Sequence, residues 1–193
     1  MEEQKKARLC IEILQNCRNE LYHDFPYLDG AFASVGYRCV EKPVGISTDG
    51  DYFRTECGYL INLYRENPAR VTRGYLHMLL HCLYLHIFPE KDVKPHLWNL
   101  ACDIAVELVI EGERVRELAL PEDLARNRFI YRFGGKKCSA QQIYQMLEKR
   151  DFHESEEQMQ KWFAFDLHDD WYTNGSGERR AKTKQKWEKI LAY

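Results

Sequence analysis

The residues best placed to do chemistry lie in His77-Met-Leu-Leu-His81-Cys-Leu-Tyr-Leu-His86. On a helix, residues four apart sit one above the other on the same face. His77 and His81 could therefore converge on one metal ion. Imidazole is a good zinc ligand, and two imidazoles leave room for a third protein ligand and a water. His86 lies nine residues beyond His77. At roughly 100° per residue it should point to the opposite side if the helix runs on to Pro89, so it is not expected to be a ligand. A second polar stripe, Asn99, Asp103 and Glu107, advances in steps of four along an apolar segment. A carboxylate on a buried helix is costly unless it is paired or bound to a metal. Facing stripes would give a His77, His81, Asp103 metal site, with Glu107 or Asn99 supporting the ligands. The plainer alternative stays open: a hydrogen-bonded histidine pair, with Asp103 capping a loop or pairing with an arginine.

Elements must exist to position these groups. Residues 4–22 carry apolar positions at helical spacing and are expected to form a helix. Phe32, Val35, Tyr37 and Cys39-Val40 alternate as a strand would. Thr48-Asp49-Gly50 has the composition of a tight turn. Tyr59–Tyr64 is expected to be an edge strand. Pro68 can open a helix, expected from Ala69 to Phe88 and ended by Pro89. A second apolar helix is expected from Leu97 to Glu111, ending at Gly112. Pro121 and Gly134-Gly135 suggest a long irregular connection. Ser139-Ala-Gln-Gln142 reads as a capping box opening a helix to Lys149. Further helices are expected over 154–164 and 178–191, separated by the 174–177 Asn-Gly-Ser-Gly break. The basic run over 179–189 alternates with Glu and Trp, which suggests a solvated helix face.

The chain has 193 residues, enough for one domain with a real core. A net charge of −2 gives no bulk electrostatic reason to expect nucleic acid or an anionic membrane as partner. No apolar leader or membrane-length stretch is visible, which predicts a cytoplasmic protein. The seven cysteines include no C-x-x-C pair and are expected to be mostly core thiols. Cys82 and Cys102 flank the two motifs; a soft metal site using them is the alternative to core packing. Trp162, Phe163, Phe165, Trp171 and Tyr172 could line a groove, but core packing is the simpler expectation.

Several segments together resemble a zinc metallopeptidase-like domain that precedes a von Willebrand factor A-like domain in a bacterial family. Its hallmark helix reads His-Glu-x-x-His, with a third His five residues later. Here the frame is His77-Met78-Leu79-Leu80-His81, then His86. The family's Trp-Asn-x-Ala-x-Asp helix is similar to Trp98–Asp103, and its Thr-Asp-Gly turn to Thr48–Gly50. Its Ser-Ala-x-x-Ile-Tyr-x-x-Leu helix is similar to Ser139–Leu147, and its Asp-x-His-x-x-Trp motif to Asp166–Trp171. The likeness spans roughly residues 45–190.

The length and the pattern of elements suggest a single domain over 1–193: an N-terminal helix over 1–30, a sheet with the His/Asp helices over 31–112, and a helical part over 113–193. The resemblance implies an α+β, zincin-like fold, mostly helical, with a small mixed sheet beside the metal-site helix. It implies Zn2+ as cofactor, His77 and His81 as ligands, Asp103 as a third, and His168 as a further candidate. Its partner would be a protein or peptide, such as a von Willebrand factor A-like domain, and not nucleic acid or membrane. In His-Glu-x-x-His enzymes the Glu is the general base. Met78 occupies that position, and a thioether cannot accept the proton. The expectation is a degenerate, weak or inactive hydrolase that keeps a metal site. The alternatives are a metal-free pseudoenzyme acting as a scaffold, and a hydrolase using Glu107 as substitute base.

Overall fold

The structure is a computed structural model describing residues 2–42, 44–90, 92–113, 115, 118–133, 138–173 and 177–192. In chain order the elements are α1 (Glu2–Asp24), a 3-10 turn (Pro26–Leu28), α2 (Asp29–Phe32), β1 (Gly36–Cys39), β2 (Ile46–Thr48), β3 (Tyr52–Thr55), α3 (Cys57–Glu66) and α4 (Pro68–Leu83). Then come α5 (Pro95–Glu113), α6 (Leu124–Arg132), α7 (Ala140–Lys149), α8 (Glu156–Phe163), α9 (Asp170–Thr173) and α10 (Gly177–Leu191). The result is an α+β protein, mostly helical, with one small mixed sheet. Two compact units divide it: residues 1–88 with 166–193, and residues 89–165.

In the first unit the sheet order is β1-β3-β2, with β1 parallel and β2 antiparallel to β3. The β2–β3 turn forms as the sequence predicts. Asp49 Oδ1 accepts from the Asp51 and Tyr52 amides, and Gly50 takes a φ of +84°, which suits glycine. α1 buries Cys10, Ile13, Leu14, Cys17 and Leu21, a stripe at helical spacing. α4 passes close to β2: a Cβ on Gly74 would lie 2.9 Å from Ile46 Cδ1. That close approach sets His77, one turn later, beside the sheet.

Three expectations need correction in this unit. Residues 59–64 belong to α3, not to an edge strand. The Glu56 carboxylate caps α3 by accepting from the Gly58 and Tyr59 amides at 2.8 and 2.6 Å, and Leu60 and Ile61 form its buried side. α4 stops at Leu83, short of Phe88. Leu85 adopts φ +59°, the His86 amide donates back to the His81 carbonyl at 3.0 Å, and the Leu85 amide donates to that of Cys82 at 3.1 Å. This is a Schellman ending with a leucine in the left-handed position usually given to glycine. Finally, the basic run on α10 is more than a solvated face. Lys186 Nζ donates to the carbonyls of Ser34 and Gly50, Arg180 donates to those of Trp171 and Ile87, and Trp187 is fully buried.

In the second unit α5 spans Pro95–Glu113, close to expectation. α7 opens with the predicted capping box, Ser139 with Gln142. The expected irregular connection instead contains α6, capped by Asp123, whose Oδ1 accepts from the Ala125 and Arg126 amides. The 134–135 and 174–176 breaks lie outside the described residues. Phe129 packs against Trp162 and Phe163 with centroids 5.9 and 5.2 Å apart, so these aromatics are core.

Candidate metal centre

Two elements of the first unit build the site. α4 supplies His77 and His81, four residues apart and both fully buried. The second element is the extended segment 166–168, which runs beside β2. The Leu167 amide donates to the Ile46 carbonyl at 2.8 Å, and Leu167 bridges in parallel to Ser47. In extended chain, residues two apart share a face. Asp166 and His168 therefore point together, and distances show where: His77 Nε2, His81 Nε2 and His168 Nε2 lie 3.4, 3.8 and 3.1 Å from Asp166 Oδ1.

The ligand atoms of His77, His81 and Asp166 all lie within 4.8 Å of one another. A tetrahedral zinc ion with nitrogen and oxygen ligands at ~2.0–2.2 Å would hold neighbouring donors about 3.4 Å apart. Among the described residues neither oxygen of Asp166 receives an aligned hydrogen bond, although both are buried. Such a carboxylate needs a compensating cation or donor. Burial pushes the Asp166 carboxyl up, but the neighbouring His168, His81 and His77 imidazoles outweigh that and hold it below the usual carboxylate range. The donor set and its geometry fit a divalent cation.

His86 has a different part from the one its spacing predicts. The turn at Leu85 swings it back, so that its Nδ1 lies 3.1 Å from His81 Nδ1. One nitrogen donates to the other. This occupies the far side of the His81 ring and leaves Nε2 turned toward Asp166, the usual way a protein orients a metal-binding imidazole. Trp171 closes a wall of the site, its centroid 4.2 Å from His168 and 4.9 Å from His81.

Asp103 and Glu107 are buried on α5, in the second unit. Glu107 Oε2 accepts from Arg126 Nη2 at 2.9 Å, so its carboxylate is engaged by a guanidinium. Met78 is buried on α4. Cys82 is a core thiol beside Thr48 Oγ1 at 3.6 Å, pushed up to about 12 by burial. Asp166 is the site residue that motif reading passed over. The Asp-x-His spacing carried the signal, since it puts two donors on one side of an extended segment.

Comparison with protein-family models, curated proteins and solved structures returned no match. Among the described residues no helix is long and apolar enough to cross a membrane.

Proposed function

We propose that the first unit is a zinc-binding, metallopeptidase-like domain of zincin type in which peptide hydrolysis is weak or lost. His77, His81 and Asp166 are the ligands, and His86 and His168 orient them. The observation that carries this reading is the convergence of three imidazole nitrogens on one buried carboxylate oxygen that lacks an aligned hydrogen bond. In zinc sites that keep a coordination position for water the ion acts as a Lewis acid. Met78 stands at the position where the resembled family has its base. Met78 cannot take a proton, and general acid–base help is worth roughly 10²–10⁴ in rate. Binding of a protein or peptide, a von Willebrand factor A-like domain included, belongs to the same reading.

The test is the zinc content of protein purified without a histidine tag. The His77→Ala/His81→Ala variant should hold about one zinc per chain less than wild type; equal content in the two would sink the reading. The same assay on Asp103→Asn decides whether Asp103, the third ligand expected from the sequence, belongs to the set. A metal-free scaffold is the second reading, favoured by the fact that Asp166 could instead balance a protonated histidine at these distances. It predicts no zinc at this site even after zinc is added.

A further inference from the structure

Three cysteines far apart in sequence meet at the edge of the sheet. Cys10 faces inward from α1 and is fully buried. Cys39 is the last residue of β1, and Cys57 the first of α3, two residues after β3 ends at Thr55. Because β1 and β3 are parallel and Cys39 pairs with Thr55, the two strands deliver Cys39 and Cys57 side by side. α1 crosses there and adds Cys10. The three sulfur atoms lie within 4.8 Å of one another.

We propose that Cys10, Cys39 and Cys57 form a second metal site, a three-thiolate site for a thiophilic divalent cation of the zinc class. Such a cation sits about 2.3 Å from each sulfur, which sets the sulfurs about 3.8 Å apart in a tetrahedron. Small side-chain rotations reach that spacing. A disulfide would use two of these thiols and leave the third stranded against it; a cation uses all three. Cys39 and Cys57 are half-buried and line a surface cavity of about 400 Å³ with Lys6, Glu41 and Glu56, which gives an ion a way in and leaves the fourth position to a ligand from solvent. Binding replaces three S–H bonds by three metal–sulfur bonds, and the three protons pass to solvent. Burial pushes the Cys57 thiol up to about 11 and the Cys10 thiol well above the usual thiol range. Cys17, by contrast, packs against Thr72 Oγ1 at 3.4 Å in the α1 stripe and has no such company.

The site is independent of the histidine centre, and its test is arranged to keep the two apart. Reduced, tag-free protein is titrated with Co2+ and followed in the near ultraviolet, where only thiolate ligands give strong sulfur-to-cobalt charge-transfer absorption. The expected result is a band in wild type that survives in His77→Ala/His81→Ala, where it saturates near one Co2+ per chain, and is lost in Cys39→Ser/Cys57→Ser. Absence of the band in wild type, or its persistence in the cysteine variant, would overturn the proposal. A second measurement needs no variant. Zinc-loaded wild type should alkylate at Cys39 and Cys57 at least tenfold more slowly than metal-free protein, while half-buried Cys138 reacts at an unchanged rate. Equal rates at all three positions would overturn the proposal as well.

Discussion

Glu107 in the second unit and Asp166 in the first are both buried carboxylates, and their surroundings differ in kind. Glu107 accepts from Arg126 at 2.9 Å, and the same guanidinium reaches Glu111 at 2.7 Å and the Trp162 carbonyl at 3.3 Å. Fixed, aligned donors meet that carboxylate, so it ties α5 to α6. Asp166 instead faces three imidazoles at 3.1–3.8 Å, with no aligned hydrogen bond to either oxygen. A buried ion pair with good geometry is complete in itself. A buried carboxylate and imidazole nitrogens grouped around a common point could hold a metal ion. Both carboxylates are buried; what differs is the alignment of their partners.

The sharpest way to break the contrast is to remove the partner of the satisfied carboxylate. Arg126→Ala leaves Glu107 buried against lost donors and should cost about 3–5 kcal/mol, read by urea unfolding. It should leave zinc content unchanged, since the Arg126 guanidinium engages Glu107, Glu111 and the Trp162 carbonyl and none of the proposed ligands. A smaller effect sharpens the other half. His86→Ala frees the far nitrogen of His81 and should weaken zinc binding about 10–100-fold without changing its stoichiometry, measured by competition with a chromogenic chelator. An unchanged affinity would mean that the His81–His86 contact does no orienting.

The smallest effect concerns a half-buried carboxylate that is neither. Burial pushes the Asp51 carboxyl up, but Lys186, Arg179 and Thr183 outweigh this and lower it overall. The unfolded carboxyl titrates near about 3.9. The folded group lies lower, so its stabilisation is complete above roughly pH 5 and fades as pH falls through the folded value. Asp51→Asn should therefore lose a constant increment of stability above roughly pH 5 and approach wild type in more acid solution. A difference that grew on acidification would contradict the assignment.

Much of the first unit was legible because its signals are local. The Thr48–Gly50 turn, the α1 stripe and the His77/His81 spacing each depend on a few adjacent residues. The Ser139 capping box in the second unit is of the same kind. Where sequence reading failed, the deciding contact was distant or the residue atypical. α4 ends early because Leu85 takes a conformation that glycine usually marks. α3 looked like a strand because Tyr59–Tyr64 is rich in aromatic and branched side chains, while its cap is a glutamate and not the usual Ser, Thr, Asp or Asn. α6 was hidden between a proline and a glycine pair. Asp166 gains its place only when 166–168 lies along β2, and the three cysteines meet only through the parallel pairing of β1 with β3. The Asp-x-His spacing puts Asp166 and His168 on one side but does not say what they face, and no spacing rule brings the three cysteines together.

The central claim is that Asp166 belongs to a metal site and not to an ion pair. It is tested most directly by zinc stoichiometry and affinity in the Cys39→Ser/Cys57→Ser background, which removes the cysteine cluster, with and without Asp166→Asn. The account predicts about one zinc per chain with Asp166 in place, and at least about 100-fold weaker binding with Asn. No zinc bound in the first protein, or equal affinity in the two, would contradict it.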